Sequence, residues 1–572
     1  MSRFDPFAFV RELATRWDAI AIVVVIGLLA FFAEASRGLL EPLSKLAAAP
    51  LSLAPSHLPV YAARTTLRMF AAMVLSLLFT FTYGTWAAKS ARAERILVPV
   101  LDILQSIPIL GFLSVTIVFF LSLVPGRVLG AEFAAIFVIF TSQAWNMAFS
   151  FYQSLRTIPD ELREASDSFH LSPWMRFWRL EVPFAMPALL WNMMMSMSGS
   201  WFFVVASEAI TVGHTKIALP GIGSYIALAI EQRSLRAIGW AIATMLVVIL
   251  LYDQLIFRPL VVWGDRFRID QEQGVMVPSS WALTTLQRSH LIGALHTLFN
   301  AVIRWSSRRP AVQEAPQAAR SARARRPTDL LWFTLLVLVV AVAAWLIARI
   351  LVRQTSVHEA LDVAGLACLT LLRVVVLIAL ASLVWVPIGI WVGLRPRASA
   401  IVQPIAQFLA AFPADLLYPV VVFGIVAWKL DPDIWLSPLM ILGTQWYILF
   451  NVIAGAAAMP TELRDATQSL GVGGALWWRK VALPGILPYY VTGAITASGG
   501  AWNASVLAEI ASWGNTQVKA HGLGAYITEA SNAGDFHRVI LGITTMSLFV
   551  VALNRIFWRP LYYYAERKYR LT

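Results

Sequence analysis

The chain has 572 residues, of which 59% are hydrophobic and only 13% charged, with a formal net charge of +13. A soluble globular domain carries about 25% charged residues, so this balance excludes a soluble protein and points to a polytopic membrane protein. The basic residues gather in short segments between apolar runs and in one central stretch, which excludes a nucleic-acid-binding surface and fits loops on one side of a bilayer.

A bilayer core takes about 20 mostly apolar residues per helix. Spans are expected near 19–35, 66–88, 97–123, 131–153, 186–207 and 237–257, and again near 329–351, 365–394, 401–428, 435–457, 486–510 and 538–557. The first run has no clear small-residue cleavage site and reads as a retained span. Arg3, Arg11 and Arg16 precede it. Lys89, Arg92 and Arg95, then Arg156, Arg163, Arg176 and Arg179, then Arg258, Arg266 and Arg268 fall on the same side. The other side has fewer, with Arg37, Lys45, Arg127, Lys216 and Arg233. The positive-inside rule then puts both termini in the cytoplasm. Cys368 lies in an apolar run and is expected to be a small core residue.

Three regions follow: residues 1–258, a basic cytoplasmic linker at 259–328, and residues 329–572. The linker ends in a Pro/Ala/Arg-rich tract whose composition predicts disorder. Within it Leu291, Leu295, Leu298, Phe299 and Val302 fall at helical spacing, either for a helix on the inner membrane surface or for one packed on the protein itself.

The two flanking regions repeat each other. At a shift of 301 residues Pro159 meets Pro460, Glu161 meets Glu462, Arg163 meets Arg464, Pro183 meets Pro484, Trp201 meets Trp502 and Glu208 meets Glu509. Gly221, Gly223 and Tyr225 meet Gly522, Gly524 and Tyr526. Earlier the shift is 305: Arg68 meets Arg373, Gly84 meets Gly389, Trp86 meets Trp391 and Pro108 meets Pro413. Four residues are therefore missing from the second half between Pro413 and Trp446. An even number of spans per half makes the repeats parallel, with a pseudo-two-fold axis along the membrane normal and a path between the halves.

The segment between the fourth and fifth spans is the most informative. It reads IPDELREASDSFHLSPWMRFWRLEVPFAMP and then MPTELRDATQSLGVGGALWWRKVALPGILP. A short amphipathic helix is expected at about 160–172 and again at about 461–473. Leu162, Ala165, Ser166 and Phe169 share one face, as do Leu463, Ala466, Thr467 and Leu470.

This segment resembles the EAA motif of ABC importer permeases. Glu164, Ala165 and Ser166 lead to Val182-Pro183, and Asp465, Ala466 and Thr467 lead through Gly471 to Leu483-Pro484. His170 stands where the family has Gly, so the first loop is expected to turn differently, and Asp465 shortens the reach of the family's Glu. A second motif, Glu208 before Gly221 and Gly223 and Glu509 before Gly522 and Gly524, is similar to the nitrate, sulfonate and taurine permease group.

The resemblance implies an all-α polytopic membrane protein with the type I ABC importer permease fold: about 12 transmembrane helices as two parallel six-helix repeats. It implies a multi-pass protein of the bacterial cytoplasmic (inner) membrane, and a partner ATP-binding cassette subunit, in two copies, on the two coupling helices. An extracytoplasmic solute-binding protein and an anionic solute are implied with it. The chain has no GxxxxGK[ST] loop, so ATP and Mg belong to the partner and this chain is expected to be no enzyme, with no cofactor, catalytic residue or metal of its own.

Charge at membrane depth is costly and usually functional. Arg68, Glu208, Arg373, Asp415 and Glu509 are therefore candidates for the translocation path. Arg68 and Arg373 also fit snorkelling to the outer surface, Glu208 and Glu509 fit loop capping, and Asp415 fits a local bond at the outer rim. Asp415 has no partner in the first half, where Leu110 stands. Gly221, Gly223, Gly522 and Gly524 are expected to permit a tight turn and close backbone approach. His214, Lys216, Lys519 and His521 would assist an anion outside. The competing class is a secondary transporter driven by an ion gradient, which also uses six-plus-six repeats.

Overall fold

The computed structural model describes residues 51–106, 109–212, 215–267 and 355–569, with single positions elsewhere. The expected spans 19–35 and 329–351 and the linker beyond 267 fall outside these stretches.

The first half contains α1 (Pro55–Lys89), α2 (Ala91–Ser106), α3 (Leu113–Leu123), α4 (Val128–Arg156), the short α5 (Asp160–Ser168), α6 (Pro173–Glu208), the hairpin β1 (Ala209–Val212) and β2 (Thr215–Ala218), α7 (Ile222–Glu231) and α8 (Leu235–Gly264). The second half answers with α9 (Val357–Gly393), α10 (Pro396–Ala411), α11 (Tyr418–Trp428), α12 (Pro432–Leu442), α13 (Gln445–Ala457), α14 (Thr461–Ser469), α15 (Gly474–Ala508), β3 (Ile510–Trp513), β4 (Thr516–Lys519), α16 (Leu523–Ala533) and α17 (Phe536–Tyr569). Among the described residues, seven helices are long and apolar enough to cross a membrane, and the pairs α10/α11 and α12/α13 add two bent spans. The chain is a two-repeat, multi-pass membrane protein.

Three expectations need correction. The run 401–428 is not one span: α10 and α11 meet at 73°. Pro413 forces the residue before it out of the helical region, and Phe412 lies at ψ 128. The run 435–457 is bent by 45° between α12 and α13, whereas its counterpart α4 is continuous over 29 residues. Cys368 is exposed on α9 and not a core residue. The sequence reading also contains no strands, yet each half carries an antiparallel hairpin of four-residue strands, at the same repeat position.

Proline explains a further regularity. Among the described residues, four of the five wide π turns that interrupt the long helices lie at Phe177–Glu181, Asp253–Phe257, Trp478–Ala482 and Asn554–Trp558, the fifth being Thr80–Gly84 in α1. Each of these four ends two residues before a proline, Pro183, Pro259, Pro484 and Pro560, whereas Thr80–Gly84 does not. A proline ring lacks an N–H and clashes with the carbonyl four residues back, and widening the turn relieves that clash. Ser234 and Asp535, 301 residues apart, cap α8 and α17 by accepting from the N–H groups of Ala237 and Arg538.

The halves pack on each other through α6 and α15. Ile109 N–H donates to Asn503 Oδ1 at 2.6 Å, and the Phe202 and Tyr418 rings lie 6.4 Å apart. At the hairpin end of the helices, Gly514 N–H donates to the Ile230 carbonyl at 3.0 Å.

Candidate functional site

The candidate charges of the first half form a closed cluster at the hairpin end. Arg68 on α1 grips Glu132 on α4 with two parallel bonds, Nε to Oε2 at 2.6 Å and Nη2 to Oε1 at 2.7 Å. Its Nη1 reaches Glu208 Oε1, at the end of α6, at 2.5 Å. Glu208 also accepts from the Thr65 hydroxyl at 2.7 Å and from Gly223 N–H at 2.7 Å. The Thr65 oxygen accepts from Ile222 N–H, and Arg68 Nη2 donates to the Pro220 carbonyl. Four helices are thus tied at one point. Arg68 is 3% exposed and Glu208 0%, so neither snorkels and neither offers a free face to a solute in this conformation.

The second half repeats the cluster with one side opened. Arg373 donates to Asp433 Oδ1 at 2.8 Å, to Glu509 Oε1 at 3.2 Å and to the His521 carbonyl at 2.7 Å. Thr370 and the N–H groups of Gly524 and Ala525 complete Glu509. Asp433 stands where Glu132 stands, since 132 + 301 = 433. Sequence reasoning missed both acids. Asp433 is more open, with 39% side-chain exposure, and is also held by the His521 N–H and ring.

The four glycines serve close approach and not backbone hand. Gly221 and Gly522 lie at φ −179 and −172, extended values open to any residue. A Cβ at Gly221 would run into the Glu208 carboxylate, and one at Gly522 into that of Glu509. A Cβ at Gly223 or Gly524 would strike the Val205 or Ser505 carbonyl.

At the opposite end lie α5 and α14, the expected coupling helices, again 301 residues apart. Ser166 and Thr467 are buried and their hydroxyls donate to the Arg163 and Arg464 carbonyls. Glu164, Ala165, Asp465 and Ala466 are exposed. The expected apolar face is therefore split. Leu162 and Ser166 point inward, while Ala165 and Phe169 form an outward stripe, and Phe169 and Leu470 are each 78% exposed.

Both helices end in the same turn, contrary to the expectation for His170. His170 takes φ 50 and Gly471 φ 65. Leu171 N–H donates to the Ser166 carbonyl and Val472 N–H to that of Thr467, the bonds that close a helix through a left-handed residue. His170 Nδ1 contacts the Asp167 carbonyl at 2.9 Å, local support for a conformation that a side chain rarely adopts. Placing the first half's residue in the second, Gly471→His, is expected to cost about 1 kcal/mol, read as a lower melting temperature of the detergent-solubilised chain.

Between the halves runs a chain of spaces. One of about 580 Å³ is bounded by Trp191, Asn192 and Met195 of α6 and by Phe450, Asn451 and Ala454 of α13. Further along α6, toward the hairpin end, is a smaller cavity of about 80 Å³, walled by Gly199 and Phe202 facing Tyr418, Thr444, Tyr447 and Gly500. Gly199 and Gly500 are repeat counterparts. Arg68, Glu208, Arg373 and Glu509 are absent from its wall. Asp415 adjoins it, in the one-turn helix Ala414–Leu417 at the break between α10 and α11.

Two parallel repeats with matched loop helices, and a cavity on the axis between them, define a membrane permease. The chain belongs to the family described as binding-protein-dependent transport system inner membrane component, whose model matches twice, over residues 80–257 and 385–570. Similar proteins include a bicarbonate transport system permease protein, CmpB, of Synechococcus elongatus, 27% identical over 186 residues, which are 32% of this chain and 64% of that protein. A glycine betaine/carnitine transport permease protein, GbuB, of Listeria monocytogenes is 28% identical over 177 residues, 31% of this chain and 56% of that protein. A nitrate import permease protein, NrtB, of Leptolyngbya laminosa is 27% identical over 187 residues, 33% of this chain and 63% of that protein. The matched stretches span under two thirds of the length of these relatives.

Proposed function

We propose that this chain is the membrane permease subunit of an ATP-driven importer, with the path between its halves. The observation that carries the reading is the pair α5 and α14. They sit at the same end of both halves, share one turn geometry and present the same outward stripe. In this reading two copies of an ATP-binding cassette subunit dock there, one per half, and hydrolyse ATP with Mg on their own residues. This chain is no enzyme and binds no cofactor. Both termini and the loop helices face the cytoplasm, and the protein spans the bacterial inner membrane. The hairpin end faces outward, toward a solute-binding protein. The solute is small and carries an anionic group; the relatives named for bicarbonate and nitrate support this.

The test is purification of the tagged chain from native membranes in mild detergent, with identification of what comes with it. A stoichiometric ATP-binding subunit is expected, and it should be lost when Glu164→Lys and Asp465→Lys are combined. A chain that purifies alone and transports on an ion gradient in liposomes would overturn the reading in favour of a secondary transporter.

A further inference from the structure

At the loop-helix end the first half is hollowed out. A space of about 610 Å³ lies between α2, α4 and α6, and its wall is polar, with Glu94, Ser150, Arg156, Thr157 and Asn192. Ala188 and Asn192 also bound the 580 Å³ space between the halves, so one wall of α6 serves both. The polar groups are organised. Asn192 Nδ2 donates to Ser150 Oγ at 2.9 Å, and the Tyr152 hydroxyl donates to Glu94 Oε1 at 2.6 Å. Arg156 Nη2 stands 3.7 Å from the same Glu94 oxygen, a loose pairing in which the half-exposed guanidinium can turn its donors to a passing acidic group.

The second half has neither the charges nor the hollow. Glu94 answers to Ser399, Tyr152 to Ile453, and Arg156 and Thr157 to Ala457 and Ala458. Ala188 answers to Tyr489, whose ring lies against Gly455, the counterpart of Ser154: a Cβ at Gly455 would come within 2.9 Å of it. Asn192 answers to Gly493, where α15 closes directly on α13: a Cβ there would come within 2.7 Å of the Tyr447 carbonyl. An aromatic ring and a close helix contact thus fill in the second half what the first half leaves open and polar.

We propose that the inner end of the path is one-sided: the solute leaves the space between the halves through the first half, across a release site made by Arg156, Glu94 and the Asn192–Ser150 pair. This rests on the permease reading and adds the route to it. A volume of about 610 Å³ holds a small solute with much of its hydration shell, since a water takes about 30 Å³ of liquid. The ligand is therefore a small, hydrated, acid-bearing molecule. Glu94 beside Arg156 keeps the hold weak, as release requires.

The test uses inside-out membrane vesicles, in which the loop-helix end of the whole complex faces the added reagent. The chain's single cysteine is replaced, Cys368→Ala, and a reporter is placed in the wall of the space between the halves, Met195→Cys. The probes are two small membrane-impermeant thiol reagents, the anionic sulfonatoethyl methanethiosulfonate and the cationic trimethylammonioethyl methanethiosulfonate. Ala188→Tyr, which puts the second half's plug into the first, is expected to slow modification by both at least about tenfold, and Tyr489→Ala to leave both rates within about twofold. Arg156→Gln leaves the hollow open and is expected to lower the anionic rate relative to the cationic one by about tenfold, the range of electrostatic focusing in a charged cleft. Unchanged labelling in Ala188→Tyr overturns the proposal, and so does a tenfold rise in Tyr489→Ala or an unchanged rate ratio in Arg156→Gln. The ATP-binding subunit is followed in the same vesicles. One-sided labelling of a chain that retains no such subunit would keep the route and remove the importer reading.

Discussion

Arg68→Met is expected to destabilise the chain far more than Arg373→Met. Arg68 is the partner of two carboxylates at once and is 3% exposed. Among the described residues Glu132 has no other ion-pair partner, so the change leaves a buried carboxylate with nothing to hold it. Removing one member of a buried ion pair costs about 3–5 kcal/mol. Arg373 sits in the same place with a different outcome. Glu509 keeps the Thr370 hydroxyl and two backbone N–H groups, and Asp433 keeps His521 and water. Its loss is expected to cost about 1–2 kcal/mol, in the range of a hydrogen bond to a charged group discounted for solvent. Thermal unfolding of the full chain in detergent reads the difference directly. Adding Glu132→Gln to Arg68→Met should recover part of the stability, because it removes the orphaned charge. Equal losses at the two arginines would mean that exposure of Asp433 does not soften the second cluster, and the asymmetry drawn between the halves would fall.

The duplication makes much of this architecture readable from sequence, and the exceptions have physical causes. Arg68 and Glu208 stand out because charge is rare in apolar runs, but their role depends on a third residue. Glu132 is the fifth residue of α4, at the edge of the expected span 131–153, where a single acid does not stand out. Its counterpart Asp433 is visible only once the four missing residues are placed between Pro413 and Asp433, a tighter bracket than the one ending at Trp446. Apolar composition gives the length of a span but not its direction, so the run 401–428 hides a 73° break that only Pro413 announces. The hairpins escape because four-residue strands beside a long helix carry too little periodicity to register. The turn at His170 follows from the helix it ends: the same bonds form in both halves, and the local sequence accommodates them.

The loop helices give the second large expectation. Helical spacing groups Leu162, Ala165, Ser166 and Phe169 on one face, yet two of the four face out, because packing uses only the Leu162–Ser166 side. Phe169 and Leu470 are therefore large apolar side chains at 78% exposure, 301 residues apart, at the same end of both repeats. Truncating an exposed side chain usually changes stability by less than about 0.5 kcal/mol. An apolar anchor that fills a groove on a partner contributes about 2 kcal/mol or more, roughly thirtyfold in affinity. Phe169→Ala and Leu470→Ala are thus expected to leave the melting temperature of the isolated chain unchanged. Each alone should weaken retention of the ATP-binding subunit by roughly thirtyfold, and the pair should abolish it. Phe169 should matter more than Leu470, since the aromatic ring buries more area. A drop in melting temperature with full retention of the subunit would make these side chains part of the chain's own packing. Docking would then rest on Glu164 and Asp465 alone, a contact that salt should weaken strongly, whereas apolar anchors in a groove are insensitive to it.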